Sequence, residues 1–280
     1  HERHLERHVQ ANEERLERAK RVANAARFAL HPRRFRLDLS LTMIGVSLLG
    51  SLMYGTQVAP IDFEKAELAL CRAGRGALGV HASSSRTAVV EFTGWHLRAL
   101  AAKWMIDFVL RLAASQHLFL ASTLRHALVD ARRQVRMSGV ESLVALDDDC
   151  WVKHMLTTIE PFVPLAAVSS AERLRALAAA GLAAPSQALR QFLLLDFLTA
   201  CATDCESGVE RLKQCAEHVR RAVATKCARH PAIAAAPHSA AALFRFFSPS
   251  LNPIVTFSSG NVETFGCVLG DGCEGDHAFR

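Results

Sequence analysis

Aromatic side chains are scarce in this chain: one tyrosine and three tryptophans stand beside fifteen phenylalanines, 7% of the sequence in all. Sheets lean on aromatic and β-branched residues, so their scarcity beside abundant alanine and leucine favours helices. Local catalytic signatures are missing too. There is no nucleophile elbow, no phosphate loop and no metalloprotease pattern of paired histidines with glutamate. An active site assembled from distant residues leaves no local motif, so this lack weakens an enzymatic reading without removing it. Eight cysteines in 280 residues are too dilute for a disulfide scaffold. The chain opens on His1 and a charged helix, without the short apolar region and small-residue cleavage site of a secretory signal. It is read as a processed mature chain or as a piece of a longer one.

Charge is missing from one stretch altogether. Between Asp38 and Asp62 no charged side chain occurs, and Leu39 to Ala59 reads LSLTMIGVSLLGSLMYGTQVA. About 20 helical residues at about 1.5 Å each span the roughly 30 Å core of a bilayer. Ser47, Ser51 and Gly55 recur every fourth residue, the small-xxx-small pattern of close helix packing in lipid. Arg33, Arg34 and Arg36 precede the stretch while Asp62 and Glu64 follow it, which would hold the amino-terminal side on the positive face of a membrane. Three glycines, several hydroxyls and Gln57 make it only weakly apolar, so the alternative is a helix buried inside a protein core.

What charge there is leans positive, with a formal net of +6. The excess sits near Arg15 to Arg36, but acids and bases interleave in HERHLERH and NEERLERAKR. Such interleaving reads as a solvated helix face with i,i+4 pairs, and nucleic acid is not expected as a partner. Leu5, Val9, Asn12, Leu16, Ala19, Ala23, Ala26 and Leu30 alternate by four and three. That is a heptad seam, set against a partner or folded back on its own domain, and Pro32 ends it.

Further along, CRAGRGALGVHASSSR reads as a glycine- and serine-rich loop. Its Gly74, Gly76 and Gly79 have the spacing of a dinucleotide-binding turn, with Glu91 as a ribose-binding acid, but no strands alternate with helices around them. A long helix is expected from Thr93 or Gly94 towards Met137, broken around Ser115 to Ser122. On it Lys103, Asp107 and Arg111 fall four apart and read as a salt-bridged surface stripe. Asp147, Asp148 and Asp149 near His154 have metal or acid–base chemistry, yet adjacent carboxylates do not face one point, and a helix start is the simpler account.

In the second half Ser169 and Glu172 are expected to form a capping box opening a helix that ends near Gly181. Pro185 is expected to start the next helix, and Gly208 to separate it from the amphipathic VERLKQCAEHVRRAVATKC. Val209, Leu212, Cys215, Val219 and Val223 share one face there, so Cys215 reads as a core residue. The three helices would make an up-down bundle. Cys205 and Cys215 have the gap of a disulfide-stapled helical hairpin, but Cys201 and Cys227 supply no twin. Pro231 to Pro237 reads as an alanine-rich linker. PIVTF and VETFGCVL around SSGN read as a β-hairpin, and Cys267, Asp271, Cys273 and His277 crowd behind it without a recognised zinc spacing. His1, His4 and His8 could share a metal only with ligands the local sequence does not provide.

The expected fold is mainly α, an irregular helical bundle with a single transmembrane or buried helix and a small C-terminal β-hairpin. Its segments are a basic helix over 1–31, the uncharged helix over 39–59, a loop-rich connection over 60–91, a helical domain over 92–248 and the hairpin tail over 249–280. No residue is assigned a catalytic, cofactor-binding or metal-binding role. The expected function is a non-catalytic structural or accessory subunit of a large assembly, in an organellar membrane such as the mitochondrial inner membrane. It would touch other subunits through the N-terminal helix and C-terminal hairpin, and lipid through 39–59. The alternatives are a soluble helical scaffold such as a viral capsid- or tegument-like protein, and an enzyme with a helical active site.

Overall fold

The structure is a computed structural model, and it describes residues 2–30, 35–81, 84–138, 143–147, 150–181, 186–240, 242 and 244. The described residues are mainly helical and contain no strand. The expected hairpin, with Cys267, Asp271, Cys273 and His277, lies outside them, as do Asp148, Asp149, Pro185 and the side chains of His4 and His8.

In chain order the helices are α1 (Glu2–Ala29), α2 (Leu37–Ile44), a π-helical turn (Gly45–Leu49), α3 (Gly50–Met53), α4 (Phe63–Leu78), α5 (Arg86–Thr93), α6 (Leu97–Ala113) and α7 (Leu118–Met137). There follow α8 (Trp151–Ile159), α9 (Leu165–Val168), α10 (Ala171–Ala179), α11 (Gln187–Thr203), α12 (Cys205–Lys226) and α13 (Pro231–Ala235), with short 3₁₀ turns at Leu143–Ala145 and Glu160–Phe162. They fall into two compact units, one of His1–Asn12, Met53–Phe63 and His96–Cys227, the other of Glu13–Leu52, Glu64–Trp95 and Ala228–Arg280.

In the first unit α6 lies along α12 and α8, and α11 lies on α7 and α12. Their apolar stripes recur at helical spacing, so Met105, Ile106 and Val109 meet Leu128, Val135, Met155, Leu195 and Val219 in one core. The expected bundle of three successive helices is not the one formed: α10 buries none of its residues, and α6 and α7 take its place against α11 and α12. Helix starts are also displaced. Ser170, not Ser169, caps α10 by accepting from the Arg173 N–H at 3.2 Å, and Ser186 caps α11 by accepting from Leu189 at 3.3 Å. Gly208 lies inside α12 rather than before it; the chain breaks at Asp204, at φ −103° and ψ 101°. A Cβ on Gly208 would stand 2.1 Å from the Cys201 carbonyl oxygen, so glycine serves there for the approach of two helices, not for a turn.

In the second unit the residues expected as a loop are helical. Gly74 and Gly76 lie within α4, both buried, and a Cβ at Gly74 would meet Val89 Cγ1 at 3.0 Å and Trp95 Cζ3 at 3.2 Å. These glycines thin a helix face so that α5 and Trp95 can close on it. Gly79, at φ 62°, follows the end of α4. Phe92 stacks on His230 with ring centroids 4.8 Å apart and meets Phe244 edge-on at 4.7 Å. The expected linker after Pro231 contains α13, whose first turn is capped by His230 Nδ1 accepting from the Ala232 N–H at 3.2 Å. Along α1 the expected seam is buried within the chain's own fold at Leu16, Ala19, Ala23 and Leu30.

The uncharged stretch is not one helix. α2 passes into a π-helical turn, α3 ends at Met53, and Gly55 turns the chain at φ 75°. The hydroxyls of Thr42, Ser47 and Ser51 each donate to the carbonyl four residues back, at 2.7–2.8 Å, a bond that bends a helix. Among the described residues no helix is long and apolar enough to cross a membrane.

Candidate functional site

Two surfaces stand out. The first is the outer face of α2 and the π-helical turn. Leu37, Leu41, Ile44 and Leu48 point into the protein, fully buried. Leu39, Met43 and Val46, spaced by four and three, stay 52%, 52% and 77% exposed. Thr42, Ser47 and Gly50 fill the ground between them, also exposed. The helix supplies no charge to this face after Asp38, and the one charged group set against it is Arg229, whose guanidinium donates to Thr42 Oγ1 at 3.3 Å; the rest offers water apolar and small polar groups. Tyr54 and Val58 are likewise exposed in the turn that follows.

The second is a groove of about 510 Å³ on the first unit, lined by Gln57, Lys103, Trp104, Asp107, Leu110, Arg111 and Arg220. The i,i+4 spacing read from the sequence does set Lys103 Nζ 3.0 Å from Asp107 Oδ2. No local spacing points to Arg220, which is 113 residues further on and reaches Asp107 Oδ1 from α12 at 2.6 Å with one guanidinium nitrogen and 3.2 Å with another. Burial alone would raise the Asp107 carboxyl, but the hydrogen bonds from Arg220 and Lys103 outweigh it and hold it below its ordinary value. Arg111 stands exposed one turn further along α6. Two cations therefore hold one carboxylate, and a third, Arg111, lines the same groove beside the half-buried Trp104.

The other residues considered from the sequence are occupied elsewhere. His154 is turned to the chain after α3, where its Nε2–H donates to the Thr56 carbonyl at 2.8 Å, and burial lowers its pKa against the pull of that bond. Glu91 is exposed on α5. Cys71, Cys150, Cys201, Cys215 and Cys227 are free thiols. Burial pushes Cys71 and Cys201 up to about 11 and Cys215 to about 12. Among the described residues no group of three or more His, Cys, Asp and Glu is placed to hold a metal ion. Comparison with protein-family models, with curated proteins and with solved structures found no match to the chain.

Proposed function

We propose that this chain is a non-catalytic helical subunit of a multi-protein assembly, docking through the outer face of α2 to an apolar helix of another subunit. The observation that carries it is the exposed row of Leu39, Met43 and Val46 over a buried row on the same helix. The row of Leu39, Met43 and Val46 has no charge from its own helix after Asp38, with Arg229 reaching in only at Thr42, so the surface complementary to that row is apolar. Thr42, Ser47 and Gly50 are small enough to let a second helix come close. Groups that could do chemistry are already engaged, in keeping with a structural role: the Cys201 and Cys215 thiols stay protonated at neutral pH, and His154 is bonded to the backbone. An organellar-membrane placement, expected from the opening His1, the uncharged stretch and the cysteine-bearing helices, stays a proposal; among the described residues no helix is long and apolar enough to cross a membrane.

A photo-crosslinking residue at Val46, in the full chain in its native cells, tests it. Crosslinks should join Val46 to one helical protein, and Met43→Asp should reduce them at least tenfold. Crosslinks only to lipid, only to copies of this chain, or unchanged by Met43→Asp would overturn the reading.

A further inference from the structure

From the groove on the first unit we infer a binding site for a nucleoside di- or triphosphate, with the phosphates among Arg111, Arg220 and Lys103 and the base against Trp104. Four features of the groove lead there. The first is charge. Lys103, Arg111 and Arg220 against the single carboxylate of Asp107 leave two positive charges in excess among the lining residues. A carboxylate ligand would cancel half of that; a diphosphate, at about −2 to −3 near neutral pH, cancels it. The second is geometry. Asp107 fixes both Arg220 and Lys103 in place, through contacts of 2.6 and 3.0 Å, so these cations are held ready rather than ordered on binding. The Arg111 guanidinium has no ion pair among the described residues, and its planar fork suits a phosphate.

The third feature is size. About 510 Å³ far exceeds what a lone phosphate fills and falls in the ordinary range for organic ligands, about 300–1,000 Å³. The fourth is the apolar wall. Trp104 and Leu110 share the groove with the cations, and an indole face takes a base by stacking irrespective of its hydrogen-bonding pattern. The site therefore distinguishes nucleotides from other molecules better than it distinguishes one base from another. Its charged groups and Trp104 stand on α6 and α12, which lie along each other, and Gln57 closes it from the turn after α3. It is independent of the α2 face and stands whether or not that face docks a partner.

The test is titration of the full chain with ADP, ATP and inorganic pyrophosphate by calorimetry, and by fluorescence with Trp104→Phe as the reference. Saturable binding of ADP and ATP is expected, with quenching that Trp104→Phe abolishes. Pyrophosphate should bind at least tenfold more weakly. Arg111→Glu should weaken ADP at least tenfold, with an unchanged helical circular-dichroism spectrum, while Arg133→Glu on the exposed side of α7 should change it less than twofold. Absence of saturable binding at millimolar nucleotide would overturn the inference. So would binding indifferent to Arg111→Glu, and pyrophosphate binding as tight as ADP would overturn the assignment to nucleotides.

Discussion

α11 and the stretch from Leu37 to Met53 are both apolar helical segments of 17 residues, yet they occupy opposite environments. α11 carries Arg190 and Asp196, and still buries Gln191–Leu195 and Phe197–Thr199, interrupted only by the part-buried Asp196. It can do so because α7, α8, α9 and α12 all pack against it. Its charges are paired at its margins, Arg190 with Glu160 at 2.7 Å and Asp196 with Arg132 at 2.9 Å. The stretch carries one charge, Asp38, and leaves half its circumference in water. Freedom from charge therefore does not measure burial; the number of neighbours does. The glycines repeat the contrast, since Gly208 is pressed against backbone while Gly45 and Gly50 have nothing within 4 Å of a Cβ.

The hardest blow to that contrast falls on the glycines. Gly208→Ala would place a methyl 2.1 Å from the Cys201 carbonyl oxygen, which only backbone movement can relieve. A loss of about 4 kcal/mol or more is expected. Gly50→Ala, in helical backbone at φ −57° with open space beside it, should gain about 0.5–1 kcal/mol from reduced unfolded-state freedom. Urea unfolding midpoints of the two variants should move in opposite directions; movement in the same direction would mean the two glycines are not used differently. Next in size is the side-chain comparison. Leu195→Ala, at a fully buried position, should cost about 3 kcal/mol, and Val46→Ala should stay within about 0.5 kcal/mol. If Val46→Ala costs as much in the isolated chain, the outer face of α2 is covered and its exposure is not available for docking.

These differences decided what could be read from sequence. α12 was legible because charged residues mark its outer face, so the period of Val209, Leu212, Cys215 and Val219 stood out against them. The break between α6 and α7, expected around Ser115 to Ser122, was legible in place but not in extent, since α7 already begins at Leu118. Over 39–59 no charge marks which side faces water, so a one-sided helix and an all-round apolar one look alike. Gly74 and Gly208 misled because a glycine demanded by a neighbour in space has the same letter as one demanded by a turn. The groove was half legible: the four-residue spacing of Lys103, Asp107 and Arg111 is local to α6, whereas Arg220 joins it only once α6 and α12 lie side by side.

The smallest expected effect concerns the point at which the stretch ends. Its last turn is fastened to α8 by Trp151 Nε1–H donating to the Gln57 carbonyl at 2.7 Å and His154 Nε2–H donating to that of Thr56 at 2.8 Å. Burial lowers the His154 pKa from its ordinary 6.5, and the bond to Thr56 recovers only part of this. The folded chain thus holds the ring neutral where the unfolded chain would take up a proton. Its contribution to stability is full above about pH 6.5 and is lost as pH falls from there through the lower folded value. His154→Gln keeps an N–H donor for the carbonyl but cannot titrate. Thermal melts at pH 7.5 and 5.5 should therefore show a larger fall for the natural chain than for His154→Gln. Equal falls would mean that His154 meets acid as exposed histidines do, and that the end of the uncharged stretch opens as readily as its outer face.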